Sequence, residues 1–333
     1  MFTSDAANTG FSVVVEMENA ATVCWHDVGQ TLHVLTEQIL ALHVPLQNKP
    51  QVILAHPGEE HESAGLIEAA RREAPGLSEA ARVQAVSVSG GRYYELKNAG
   101  ISRSDGELIV LLDSDAVPEP GWLAALLAPF HDPKTIVVHG CTYLGHFDLV
   151  SRTLAMIWVF PLRDHDEREV KRRSLNANNC AFRAKTLGLN PFPIDNGFKV
   201  GCTKFMKQLQ ECGIELVRVA AYVKHAPLTG FRFLVWRGLV TGRDADRKVA
   251  DLKSRSRWRR FRSALSFWLK MEFRVVRRVL THYHHVALPF WQVPVAIALG
   301  LSFFGFALVG QVSRLLGLTA ERPEYIPAYA EHH

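Results

Sequence analysis

The chain has 333 residues, 48% hydrophobic and 21% charged, with 38 Lys/Arg against 33 Asp/Glu. That apolar content excludes a disordered chain, since there is ample surface to bury in a core. The net charge of +5 is local: Arg243 to Arg278 holds 13 Lys/Arg and 4 Asp/Glu, a net of +9, and the rest of the chain is mildly acidic. A basic coat for nucleic acid is therefore not expected, whereas one short segment calls for an anionic neighbour.

In chain order, FSVVVEM (11–17) reads as a buried strand, followed by a helical pattern over 28–43. QVILAH (51–56) reads as a second strand, with a polar helix over 64–73, and VQAVSVS (83–89) as a third. GELIVLLDSD (106–115) is the fourth, followed by a helix near 121–130, and TIVVHG (135–140) is the fifth; a further strand is expected over 216–223. Strands separated by helices of this length predict an α/β domain with a mostly parallel sheet, whose ligands sit at the carboxyl ends of the strands. The five cysteines (Cys24, Cys141, Cys180, Cys202, Cys212) include no C-x-x-C pair, which points to a reducing compartment rather than a disulfide framework or zinc ribbon. Residues 1–10 have no signal-peptide pattern.

The far end of the chain differs. Pro289 to Gly310 is 22 residues without a charge, about 33 Å as a helix and enough to cross a hydrocarbon core. Tyr283 and Trp291 stand near its start, where interfacial aromatics belong. Upstream, Phe261, Leu265, Trp268, Leu269, Val276 and Val279 recur near helical spacing, and Arg259, Arg262, Lys270, Arg274 and Arg277 largely fill other faces. This predicts a basic amphipathic helix on an anionic leaflet. The expected organisation is a catalytic-type domain over 1–242, a membrane-surface segment over 243–285, a transmembrane helix and its exit over 286–318, and a polar tail over 319–333. The excess of basic residues before the apolar run places the main domain on the cytoplasmic side of a cell membrane.

Asp113-Ser114-Asp115 directly follows the fourth strand. Carboxylates at i and i+2 just beyond a buried strand can reach one divalent cation, and their hard oxygens suit Mg²⁺ or Mn²⁺. Asp164/Asp166 and Asp244/Asp246 share the D-x-D spacing but lack the strand context.

Together SVVVEMENA, YYELKNAGISRSDGELIVLLDSDAVPEPGWL and NANNCAFRAKTL resemble successive blocks of family 2 glycosyltransferases with the GT-A, Rossmann-like fold. Lys97, Asn98, Gly100, Gly106, Asp113, Asp115, Pro118, Pro120 and Trp122 carry the likeness, and HAPLTGFRFLVWRGLVTGRDADR extends it to about residue 250. The resemblance implies inverting transfer of a sugar from a nucleotide-diphospho-sugar, with a cation (Mn²⁺ or Mg²⁺) at Asp115 and Asp113 nearer the nucleotide. On the same footing Lys97, Asn98 and Ser114 are candidate donor-binding residues; Glu16, Glu18 and Asn19, and His56, stand where the family usually has a Pro-x-(Tyr/Arg)-Asn loop and an Asp, and are donor-binding candidates in their place. Asn178 and Asn179 are candidate acceptor contacts, with a strand-edge turn as the alternative, and His225 is a candidate third metal ligand. A glycan or lipid-linked acceptor follows from the adjacent membrane segment. The most serious departure from the pattern concerns the base: where the family's Glu-Asp pair would open a helix before Gly213, the sequence has Gly201-Cys202. Asp195 is then the nearest carboxylate for a catalytic base; a donor-binding protein without transfer and a peripheral membrane scaffold are the competing readings.

Overall fold

The computed structural model describes residues 10–21, 25–43, 49–158, 160–163, 175–194, 201–226, 230–245 and 257–318. Its centre is an eight-stranded sheet of β1 (Phe11–Glu16), β2 (Gln51–His56), β3 (Arg82–Ser87), β4 (Leu108–Asp113), β5 (Ala116–Pro118), β6 (Val137–Leu144), β7 (Asn179–Arg183) and β8 (Leu216–His225), in the order β3-β2-β1-β4-β7-β6-β8-β5. The pairs β3-β2, β2-β1, β1-β4 and β6-β8 are parallel, while β7 is antiparallel to β4 and β6, and β5 is antiparallel to β8.

The continuous apolar runs are explained by cover on both faces. Alternate residues of β1, β2 and β4 point opposite ways. Val13, Val15, Val52, Leu54, Val110 and Leu112 join a core with α1 (Trp25–Ala41), α2 (Ser63–Glu73), α3 (Leu77–Ala80) and α5 (Trp122–Leu127). Val14, Ile53, Ile109 and Leu111 join a second core with α4 (Tyr93–Arg103), α7 (Ala184–Leu189) and α8 (Gly201–Glu211). Each such fully buried aliphatic side chain contributes about 1.5–3 kcal/mol.

A third core is helical and off the sheet. It is built from α6 (Leu149–Ile157), α9 (Phe231–Ala245), α10 (Arg257–His282) and α11 (Val293–Leu315). The segment Phe290–Leu315 is long and apolar enough to cross a membrane. One side of α11 is packed within the protein, through Val293, Ala296, Gly300, Phe303, Phe304 and Ala307. On α10 the buried apolar residues are Ala264, Trp268, Val275 and Val279, whereas Leu265 and Leu269 of the expected apolar face are exposed. The residue 242/243 division falls inside α9, which packs along α11.

That packing depends on Gly242: a Cβ there would lie 1.7 Å from the Ala307 carbonyl oxygen, so backbone meets backbone. Such small-residue contacts let helices approach closely. Gly242→Ala is expected to destabilise the helical unit by about 1–3 kcal/mol, the usual cost of overpacking. Limited proteolysis should cut the segment around α9–α11 faster in that variant and leave the sheet domain's resistance unchanged.

Candidate functional site

β4 ends in Asp113, which is in register with Glu16 of β1, so two carboxylates meet at the carboxyl edge of the sheet. Both are fully buried. Asp113 is held from below: Lys97 Nζ lies 2.7 Å from Oδ1, with both side chains at 0% exposure, and the Tyr93 hydroxyl donates to the same carboxylate at 2.9 and 3.1 Å. Lys97 also lies over the Tyr93 ring, 4.6 Å from its centroid. Burial and the nearby Asp113 charge push the Tyr93 phenol well above its ordinary pKa, so it remains a donor.

The chain then hooks. β5 pairs with the end of β8, setting Ala116 opposite His225, and the Ala226 N–H donates to the Asp115 carbonyl at 2.7 Å. This hairpin-like return brings Asp115 Oδ2 to 3.6 Å from His225 Nε2. His225 Nδ1 is 3.0 Å from the Ala226 carbonyl. A carbonyl only accepts, so Nδ1 is the donor of that contact and Nε2 is the ring nitrogen that faces Asp115. Ligand atoms of Asp113, Asp115 and His225 all lie within 4.8 Å of one another. Two hard carboxylates and an imidazole nitrogen converging at a strand edge are a donor set that fits Mn²⁺ or Mg²⁺.

The other expected site residues are placed as follows. Glu16 Oε1 accepts from the Glu18 backbone N–H, and Glu18 lies 4.0 Å from Arg92. Asn19 is in the short 3₁₀ turn after β1, its side chain outside the described residues. His56 ends β2 and pairs with the Ser63 hydroxyl at 2.9 Å; burial lowers its pKa, with Glu62 and Glu60 opposing, so it is neutral at pH 7. Ser114 is buried beside the two aspartates, and its Oγ has no hydrogen-bond partner among the described residues.

The Asn98 amide clamps the Phe192 backbone, donating to the carbonyl at 2.8 Å and accepting from the N–H at 2.9 Å. Because β7 runs antiparallel, its first residue Asn179 sits beside Leu112 at the site edge. Its side chain is engaged there, accepting from Trp122 Nε1 at 2.8 Å and donating to the Ala221 carbonyl at 3.0 Å. Asn178 accepts from the Thr142 hydroxyl at 2.9 Å. Asp195, Asp164, Asp166 and Asp246 lie outside the described residues.

No carboxylate opens α8. Its first residues pack instead: the Cys202 N–H donates to the Tyr94 hydroxyl at 2.9 Å, and the thiol donates to the Leu175 carbonyl at 2.8 Å. A Cβ on Gly201 would come within 2.7 Å of the Tyr94 ring. Two residues were not legible as site components. Tyr93 lacks a motif of its own. Arg237 of α9 lies over the Trp158 ring at 5.2 Å; burial lowers its pKa to about 10, with the Asp244, Tyr94 and Glu18 charges opposing.

Residues 80–186 match the model of the family described as Glycosyl transferase family 2. No curated protein matches the chain. Among solved structures, a mannosyltransferase of Pyrobaculum calidifontis, in complex with GDP-Man and Mn²⁺, aligns at 16% identity and TM-score 0.52 over 93% of this chain and 88% of that one. Glucosyl-3-phosphoglycerate synthase of Mycobacterium tuberculosis aligns at 18% identity and TM-score 0.44 over 71% and 78%. GalNAc-T7, solved with UDP, GalNAc and Mn²⁺, aligns at 17% identity and TM-score 0.46 over 66% of this chain but only 44% of its own.

Lys97→Met would leave the Asp113 charge buried without its cation, and is expected to cost about 3–5 kcal/mol. Adding Asp113→Asn should recover part of that loss; thermal melts of the single and double variants measure the coupling. The match over residues 80–186 and the shared architecture lead to one conclusion: the chain has a GT-A fold, and residues 80–186 of it match family 2 glycosyltransferases.

Proposed function

We propose that this protein is an inverting glycosyltransferase that moves a sugar from a nucleotide-diphospho-sugar to a membrane-associated acceptor, lipid-linked or glycan, with a divalent cation as cofactor. The observation that carries the reading is the convergence of Asp113, Asp115 and His225 at the carboxyl edge of the sheet. These residues would hold the cation, which offsets the charge developing on the diphosphate leaving group. Lys97 and Tyr93 fix the Asp113 carboxylate, so that donor and metal meet a preorganised edge rather than a mobile side chain.

For the base we propose Asp195. The described residues that flank it are held, Phe192 by Asn98 and Cys202 by Tyr94. Asp195 is three positions on from Phe192, about 10 Å of extended chain. Tyr94 packs edge-on against Tyr93, with ring centroids 4.8 Å apart, and Tyr93 touches Asp113. In that role the Asp195 carboxylate would take the acceptor hydroxyl proton as the oxygen attacks the anomeric carbon. Membrane association is supported by the apolar segment Phe290–Leu315 and the basic helix before it. The sheet domain then faces the cytoplasm.

The test is turnover of a nucleotide-sugar panel by the purified full chain, titrated with Mn²⁺. Asp115→Asn and His225→Ala should each weaken Mn²⁺ activation at least about 10-fold. Unchanged Mn²⁺ dependence in both variants would remove the metal role, and donor binding without turnover of any acceptor would leave a binding protein. Asp195→Asn is expected to lower kcat by about 10²–10⁴-fold with little change in donor KM. Retention of wild-type kcat would send the search for the base elsewhere.

A further inference from the structure

α10 and α11 lie side by side over the length of α11. Trp268 Nε1 donates to Gln311 Oε1 at 2.6 Å near one end, and its ring meets Phe304 at 5.7 Å. Val275 sits against Gly300, where a Cβ would come within 2.6 Å of its methyl group. The connection is closed by the short turns Tyr283–Val286 and Phe290–Gln292. α10 therefore shares whatever depth α11 takes. A perpendicular α11 would carry Lys270, Arg274, Arg277 and Arg278 into the hydrocarbon alongside Gly300, a costly place for four cations.

The face of α10 turned away from α11 is itself two-sided. Trp258, Leu265, Leu269, Val276 and Leu280, at spacings of seven and four, form one flank; Trp258, Leu265, Leu269 and Leu280 are exposed and Val276 is half-buried. Arg262, Lys270 and Arg277, at spacings of eight and seven, form a second flank, and all three are exposed. Between the two flanks is an open groove lined by Arg262, Leu265, Leu269, Lys270 and Phe273. An apolar flank beside a cationic one is the arrangement of a helix lying in a headgroup layer, with chains on one side and phosphates on the other.

We infer that α10 and α11 form an in-plane hairpin that docks on an anionic leaflet through the outward face of α10, and that α11 does not cross the bilayer. This rests on the membrane association proposed above, and replaces a span with a monotopic seat. The docking keeps the sheet domain and both ends of α11 on one side of the membrane.

The experiment uses the full chain in sealed vesicles whose outer face carries the sheet domain. Cys212 is exposed and serves as the reference thiol. Leu318→Cys adds a thiol just beyond α11, at a position 74% exposed. An in-plane hairpin predicts equal labelling of Cys212 and Leu318→Cys by a membrane-impermeant maleimide in intact vesicles. Labelling of Leu318→Cys only after permeabilisation would overturn the inference while leaving membrane association intact. A second arm uses phosphatidylglycerol vesicles: Arg262→Glu, Lys270→Glu and Arg277→Glu together should reduce co-sedimentation at least about 10-fold. Unaltered binding by that variant would overturn the docking face. No sedimentation of the unaltered chain with any vesicle would overturn both this inference and the membrane reading beneath it.

Discussion

The site depends on a lysine and an aspartate hidden together at the end of the central strand. Lys97 and Asp113 are both at 0% exposure and 2.7 Å apart. Neither charge could stand there alone, because desolvation would neutralise it or unfold the region around it. The pair ties α4 to β4 and determines where the Asp113 carboxylate sits. Tyr93, one turn before Lys97 on the same helix, supplies the hydroxyl that completes the cage. With Asp113 locked, Asp115, two residues on and also buried, completes the converging group with His225.

Two antiparallel departures turn an ordinary doubly wound sheet into a site. β7 enters beside β4 against the parallel grain, bringing Asn179 to the carboxyl edge, where it bridges Trp122 and the Ala221 backbone. β5 turns back on β8 and delivers Asp115 to His225. β7 also fills the core with Ala181 and Phe182, whereas the three-residue β5 contributes mainly position. At the start of α8 the role that a carboxylate would take is replaced by packing, with Tyr94 filling the space against Gly201 and bonding Cys202.

The C-terminal helices obey different rules. Close backbone approach at Gly242 and a buried Trp268–Gln311 hydrogen bond hold them together, and their outward surface mixes aromatic and cationic residues. α9 belongs to this unit through α11 and also carries Arg237, within electrostatic reach of Glu18 and Tyr94. The C-terminal helical unit and the sheet domain are therefore linked through one helix.

The sequence by itself determined the parallel strands β1 to β4 and the acidic pair after β4, because a buried strand needs a continuous apolar run and a D-x-D has meaning only at its end. It also determined that a basic helix and an apolar helix follow the sheet domain. His225 was legible only as a lone histidine after a strand; its partnership with Asp115 required the β5 return, whose three residues carry no periodic signal. Lys97 was visible as part of a motif, but its role as the buried counter-charge of Asp113 emerged only when α4 packed on the sheet. Asn98 was legible through the family resemblance and Asn179 as a polar residue beside an apolar run, and only the tertiary structure shows their amides bonded to Phe192, Trp122 and Ala221. In the same way hydropathy registered a helix long enough to span a bilayer, while the orientation of that helix depends on the neighbour it lies against, which length and composition do not encode.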